Sequence, residues 1–329
     1  KLANHIINEK IEFERNPLYW NDKETVINSA TFLAIENPST DVARYRAGDL
    51  DMTSYALPPE QFAKLQKELP GEVFTTRTLA TYSYELNNKK APFDNVNVRK
   101  ALNLSLDRNV ITDKVLGQGQ TPTYVFTPTY IEEGHLIQQP AYSKEPMAQR
   151  NEEAIKLLEE AGYSKANPLK FTILYNTNEN HKKVAIAAAS MWKANTKGLI
   201  DVKLENQEWK TYIDSRRAGR YDAARAGWNA DYNQATTFGN YFLSNSSNNT
   251  AKYANPEYDK AIAESYVATD AEGRAKAYAK AEEILAKDFG IVPIFNYVNP
   301  RLVKPYVKGY SGKDPQDHIY LRNLYIIKH

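Results

Sequence analysis

Between Leu169 and Val298 the apolar pattern changes period repeatedly, and this alternation limits the fold more than any other feature of the chain. Leu169–Tyr175 reads as a strand, His181–Thr196 as a helix, Val202–Glu205 as a strand, Glu208–Arg217 as a helix and Asp222–Trp228 as a strand. Two consecutive helices follow between Pro256 and Lys287, and Ile291–Val298 closes the series as a strand. Strands that alternate with helices require a sheet covered by its own crossovers, so the class is α/β.

The front of the chain fits that class. Ile6–Arg15 and Val26–Ile35 read as strands beside the turn pairs Asn16-Pro17 and Asn37-Pro38. Ser39-Thr40-Asp41 is expected to cap a helix Val42–Ala47 that stops at Gly48, and Pro58-Pro59-Glu60 opens a helix ending at Leu69. Val73–Leu86 is a long aromatic strand, followed by a polar turn, the helical run Val96–Leu106, and a short helix Glu152–Ala161 closed by Gly162. A length of 329 residues implies two packing units, with a new one starting near Ala80. Leu302–His329 carries no long helix and is expected to return to the first sheet as an edge.

Several functions are excluded. The longest apolar stretch, Val184–Trp192, is about half of what a bilayer requires. A net charge of +2 offers no concentrated field for nucleic acid. The absence of cysteine removes thiolate metal sites, disulfides and cysteine nucleophiles. His5, His135, His181, His318 and His329 are scattered and support no metal site, so no cofactor is expected. The GxSxG, HExxH, phosphate-loop and calcium-loop patterns are missing; Gly309–Lys313 lacks the phosphate-loop spacing. Paired glutamates such as Glu152/Glu153 and Glu282/Glu283 sit beside lysines on helices, as solvated faces do, and the chain reads as no enzyme. It opens Lys1-Leu2-Ala3, as a processed product or the interior of a longer polypeptide would.

The stretch Asp222–Tyr232 stands apart, because it places Arg225 and Asp231 on one element with small residues and a tryptophan between them. Ala226 and Gly227 would let another extended backbone approach, Trp228 would form an apolar wall, and Asp231 would supply a fixed negative charge. Those features fit a peptide main chain. The alternative is an inward strand end, with Asp231 capping the next turn and Arg225 in a structural ion pair.

Pro92-Phe93-Asp94-Asn95-Val96-Asn97-Val98-Arg99-Lys100-Ala101-Leu102, running to Asp107-Arg108, resembles the PF-x-D/N-V-x-VR-x-AL…DR segment of the peptide- and nickel-type extracytoplasmic solute-binding proteins of ABC importers. Arg225–Tyr232 and Val298–Pro305 share the likeness, which covers about the last two-thirds of such proteins. Taken alone, the motif supplies the buried stripe of a helix capped near Asp94 or Asn95 and marks kinship, not ligand contacts. The resemblance implies a bilobal periplasmic-binding-protein-like α/β fold of the peptide-binding class, with the first lobe incomplete here. Residues 1–79 would belong to lobe I, 80–298 to lobe III, and 299–329 would return to lobe I. It implies a monomeric periplasmic protein that captures short extended peptides, without covalent chemistry, and delivers them to the permease subunits in the inner membrane. The lobes would close about crossovers near Leu79–Tyr82 and Val298–Arg301.

Residue by residue, the resemblance makes Asp231 the carboxylate that meets the peptide α-ammonium, shielded from bulk water, and Arg225, Ala226, Gly227, Trp228 and Asn229 the strand that pairs with its backbone. Arg216, Arg225 and His181 would meet side chains or the terminal carboxylate, while Asn176, Glu85, Trp228 and Tyr297 would line pockets. Departures are evident as well. Ala80 and Asn229 stand where many relatives have a cysteine pair, Ser83 where a pocket tyrosine is usual, Ser54-Tyr55-Ala56 in place of a tyrosine- and asparagine-bearing stretch, and Leu116 in place of a lysine. Two other readings remain, namely the same scaffold dedicated to murein peptide, haem or a metal chelate, and, more remotely, a hydrolase using Asp231.

Overall fold

In the computed structural model, which describes residues 1–328, the chain reverses direction almost at once. His329, which carries one of the histidines and ends the expected return segment, lies outside the described residues. The expected strand Ile6–Arg15 is instead half of a hairpin: β1 (Leu2–Ile6) pairs antiparallel with β2 (Lys10–Glu14). Asn8 turns the chain at φ +60°, a left-handed conformation that asparagine tolerates better than most residues. β3 (Ser29–Leu33) pairs with β2 and completes a three-stranded sheet. α1 (Pro38–Ala47) starts a turn earlier than expected because Asn37, not Ser39–Asp41, is its cap. The Asn37 side chain accepts from the Ser39 and Thr40 amides at 2.8 and 3.3 Å, and Pro38 occupies the first helical position. α2 (Pro59–Glu68) contributes Phe62 and Leu65 to a small core with Val42, Tyr45, Leu57 and Leu302.

These elements, with Gly117–Gly119 and the segment from Val298 onward, make one unit; Leu79–Leu116 and Gln120–Tyr297 make the other. β4 (Val73–Leu86) forms over the residues read from the sequence, and from Leu79, where it enters the second unit, every residue is buried. There follow α3 (Val96–Leu104), a π-helical turn at Val110–Leu116 that no sequence signal marked, and β5 (Thr121–Pro122). Next come α4 (Met147–Glu160), β6 (Leu169–Asn176), α5 (Glu179–Asn195) and β7 (Ile200–Gln207). α6 (Trp209–Arg217), β8 (Ala223–Asn229), the single turn α7 (Thr236–Gly239), α8 (Pro256–Val267), α9 (Ala271–Lys287) and β9 (Ile291–Leu302) complete the series.

The large sheet has the order β5-β9-β4-β8-β6-β7, so β4 lies inside it and is covered on both faces. On one face Tyr82, Tyr84 and Leu86 pack with Val98 and Leu102 of α3, Val184 and Trp192 of α5, and Val292 and Ile294 of β9. A second core gathers Leu79, Phe126, Phe238, Tyr241, Phe242, Tyr258, Ile262, Tyr278 and Leu285.

The terminal segment corrects the edge-strand expectation. β10 (Val307–Lys308) and β11 (Tyr325–Ile326) pair only with each other, and the first sheet consists of β1, β2 and β3 among the described residues. Positive φ angles at Gly309, Gly312 and Asp317 interrupt any extended run long enough to build a ladder.

The motif segment 92–108 is structural. Arg99 donates to the carbonyls of Phe93, Asp94, Asp288 and Phe289. Arg108, fully buried, donates to the carbonyls of Thr123, Pro293, Asn103 and Leu106 and to Asn103 Oδ1, with its guanidinium 4.0 Å over the Tyr124 ring. Replacing it by Met would strand several carbonyls at once. Arg108→Met is expected to cost about 3 kcal/mol or more, lowering the thermal unfolding midpoint by about 5–10 °C; an unchanged midpoint would show that water or neighbours replace those donors.

The register makes a second prediction. Ala230 N donates to Leu79 O at 2.8 Å and Asn87 N to Asp222 O at 3.1 Å, which identifies Leu79/Ala230 and Asn87/Asp222 as hydrogen-bonded pairs of the β4–β8 ladder. Alternation makes Ala80 opposite Asn229 a non-hydrogen-bonded pair, with Cα atoms about 4.5 Å apart, within the range a disulfide spans. Ala80→Cys with Asn229→Cys should therefore oxidise to an intrachain disulfide, visible as a mass loss of two hydrogens and a shift on non-reducing gels. Two persistent free thiols under oxidant would mean the register is wrong.

Candidate functional site

β8 is an inner strand for only part of its length. Opposite β4 it is paired throughout, Ala80–Leu86 against Ala223–Asn229, but on its other edge it meets β6 only at Ile173/Ala223 and Leu174/Ala224. Beyond Ala224 no strand among the described residues pairs with that edge. Because Ala224, Ala226 and Trp228 turn their backbone groups to β4, alternation turns those of Gly227 and Asn229 towards the open edge. The Tyr212 hydroxyl takes the carbonyl of Arg225. The small residues Gly227 and Ala223 of β8 leave room for the larger side chains directly opposite, Tyr82 and Leu86 of β4.

Side-chain alternation divides the expected ligand residues between two faces. On the first, the Arg225 guanidinium lies 5.2 Å from the Tyr82 ring centre and donates to the Tyr297 hydroxyl and, at 3.5 Å, to Asn176 Oδ1. Tyr82 also stacks on Phe295 at 4.7 Å and meets the His181 and Tyr297 rings at 5.6 and 5.9 Å. Gly227 matters here, because a β-carbon at this position would come within 3.0 Å of both Arg225 Nη2 and the Tyr297 hydroxyl. Burial pulls the Arg225 pKa down, but the surrounding tyrosine oxygens outweigh it and the guanidinium stays charged. Among the described residues no carboxylate pairs with Arg225, and its buried Nε has no hydrogen-bond partner. His181 experiences the same surroundings: burial first, and then the charge of Arg225, push its pKa well below 6.5 and keep it neutral.

The second face carries Ser83, Glu85, Ala226, Trp228 and Arg216. Glu85 and Arg216, expected to meet ligand, are joined to one another in a buried ion pair of 2.9 Å. Tyr241 donates to Glu85 Oε1 at 2.6 Å, Thr250 donates to Glu85 Oε2, and Arg216 donates to Thr250 at 3.0 Å. Burial lowers the Arg216 pKa, Glu85 together with the Tyr212 and Tyr241 oxygens more than offsets it, and the net shift is upward. Both charges are satisfied internally, so neither stands open. Ser83 is fully buried opposite Ala226, and its hydroxyl has no partner among the described residues. Trp228 is half-buried, packs edge-on against Tyr241 at 4.9 Å and donates its indole N–H to Thr237 Oγ1 at 3.2 Å.

Asp231 lies two residues beyond the end of β8, not on it, and it is exposed. The expectation of a carboxylate shielded from water does not hold within this chain. Its amide donates to Thr237 Oγ1 at 3.2 Å, and its Oδ2 accepts from the same hydroxyl at 3.3 Å. Sequence reasoning missed Thr237, Tyr212 and Tyr82. The surplus of tyrosine, 23 residues, was the signal for the latter two; nothing in the sequence connects Thr237 to Asp231. No group of three or more metal-ligating side chains occurs among the described residues, nor any helix long and apolar enough to cross a membrane.

With this geometry in hand, residues 1–250 match the family described as bacterial extracellular solute-binding proteins, family 5 Middle. The chain belongs to this family. It is 97% identical over its whole length to the periplasmic oligopeptide-binding protein OppA of Haemophilus influenzae, of which it covers 61%. It is 43% identical to the periplasmic murein peptide-binding protein MppA of Escherichia coli, covering 60% of that protein. Among solved structures, H. influenzae OppA in complex with RPPGFSPFR matches with a TM-score of 0.95 at 96% identity, across 100% of this chain and 64% of that one. The chain thus spans about three-fifths of the length of these relatives. Their bilobal periplasmic-binding architecture is the one to which the present α/β chain conforms, with the first lobe incomplete.

The neutral His181 has a measurable consequence. An unfolded imidazole titrates near 6.5, so the folded protein, with its lower value, binds fewer protons below that pH. The stability contributed by a neutral His181 is complete above about pH 6.5 and is lost as pH falls towards the depressed folded value. Thermal midpoints should therefore fall more steeply from about pH 7.5 to about pH 5 in the wild type than in His181→Gln; parallel slopes would remove His181 from the acid response.

Proposed function

We propose that the chain forms part of the substrate-binding subunit of an ABC importer, which captures short peptides in extended form in the periplasm and delivers them as a monomer to the inner-membrane permease. Residues 1–79 and 299–329 belong to its first lobe in this reading and 80–298 to its third. One observation carries it: from Gly227 to Asn229 β8 offers an edge with no partner strand among the described residues, bounded by a guanidinium without a carboxylate partner and by an exposed carboxylate. An extended peptide adds to such an edge through its main chain, whatever its sequence, and its side chains alternate between the two faces. Gly227 and Asn229 supply the backbone groups, Asp231 receives the α-ammonium, and Arg225, beside neutral His181, Asn176 and Tyr297, receives an acidic side chain or the terminal carboxylate. Trp228, Ser83 and Ala226 border the opposite face, where Glu85 and Arg216 hold the strand from behind. H. influenzae OppA, crystallised with RPPGFSPFR, supports the peptide reading, and so does the family; binding and release involve no covalent step.

An ion pair open to water is worth about 0–1 kcal/mol, whereas a charge-assisted bond shielded from it is worth about 1.5–3. Strong recognition of the ammonium therefore requires the bound peptide to exclude water from Asp231. The test is calorimetric titration of the chain within a polypeptide of its relatives' full length. Asp231→Asn should weaken unmodified peptides about 10–100-fold and leave N-acetylated ones nearly unchanged. Equal losses for both would contradict the ammonium role. The 43% identity to MppA favours a murein peptide as the second reading of the cargo. Native mass spectrometry separates the two, since a ladder of assorted short peptides excludes a single dedicated ligand.

A further inference from the structure

We propose that Thr237 is the positioning residue for Asp231, fixing one carboxylate oxygen so that the other faces the ligand; the inference rests on the peptide-binding reading above. A hydroxyl has one proton and two acceptor sites. Thr237 Oγ1 accepts the Asp231 amide and the Trp228 indole N–H, each at 3.2 Å, which occupies both acceptor sites. Its proton is then left to Asp231 Oδ2, at 3.3 Å. The hydroxyl itself is held in place, because Thr237 is 4% exposed on α7 beside Phe238 of the second aromatic core, and a β-branched side chain has few rotamers to choose from. Oδ1 remains for the visitor.

The backbone at 231 does not depend on this hydroxyl alone. Ala230 N is held by Leu79 O at 2.8 Å and Ala235 N by Glu132 O at 3.0 Å. Asn233 accepts from the Glu132 amide at 3.2 Å and donates to its carboxylate at 3.3 Å. Gln234 donates to Glu133 at 3.0 Å, and Arg274 holds that same carboxylate at 2.7 Å. Deleting the Thr237 hydroxyl therefore frees the carboxylate to rotate while the loop that carries it stays pinned. Trp228, which also donates to this hydroxyl, is held besides by its edge-on packing against Tyr241 at 4.9 Å.

The experiment repeats the paired titration of free and N-acetylated peptides on Thr237→Val, Thr237→Ser and Asp231→Asn. Thr237→Val should weaken the free peptide about 5–10-fold and leave the acetylated one unchanged, while Thr237→Ser restores the wild-type preference. Equal weakening of both peptides by Thr237→Val, or of neither, overturns the proposal. If Asp231→Asn weakens the free and the N-acetylated peptide equally, the ammonium reading fails and this one with it. If Asp231→Asn weakens the free peptide alone and Thr237→Val does not, only the positioning role falls. Should Thr237→Val and Thr237→Ala both fail to fold, the hydroxyl is an element of the fold and the positioning role is likewise overturned.

Discussion

The continuous pairing of Ala80–Leu86 with Ala223–Asn229 determines where every side chain of the candidate site points. A slip of one residue would exchange the two faces, moving Arg225 into the Glu85 environment and Trp228 out of the second core. The slip is prevented on both sides. Tyr82, Tyr84 and Leu86 fill one core and Leu79 the other, so neither face of β4 can be surrendered. The strand that presents an open edge is thus registered by one that has none.

That arrangement also explains two arginines with opposite fates on neighbouring elements. Arg216 is buried with Glu85 at 2.9 Å and further hydroxyls, which is how an interior tolerates charge. Arg225 is partnered by tyrosine and amide oxygens and by a ring face, all of them neutral. Neutral partners keep a guanidinium ionised without cancelling its field, so it remains able to attract an anion. A carboxylate in place of Tyr297 would have closed that option.

Much of the fold was legible from hydrophobic period alone. β4 was read to the residue, and the alternation from Leu169 onward was read within a few residues at each boundary, because those segments bury a long stripe or two faces. The failures lie where a single polar side chain decides. Asn37 outcompeted Ser39–Asp41 as a cap, and Asn8 divided what alternation alone presented as one strand. The site was legible as a list and not as an arrangement. Arg225 and Trp228 read as members of one peptide-pairing strand, yet period two sends their side chains to opposite faces, and the Glu85–Arg216 pair exists only through the placement of β4 and α6 in space. Thr237 left no trace, since a hydroxyl in a polar stretch gains meaning only from its three neighbours.

The arginines of the motif segment impose an order in time. Arg99 and Arg108 wait for carbonyls that lie 189 and 185 residues further along, at Asp288 and Pro293. On a ribosome adding about 5–20 residues per second, that interval is roughly 10–40 s, during which the nascent segment carries two cations with unfilled obligations. Until then Arg99 has only Phe93 and Asp94 to donate to, and Arg108 only Asn103, Leu106 and Thr123, so burial of either guanidinium is fully compensated only when the last third of the chain has emerged.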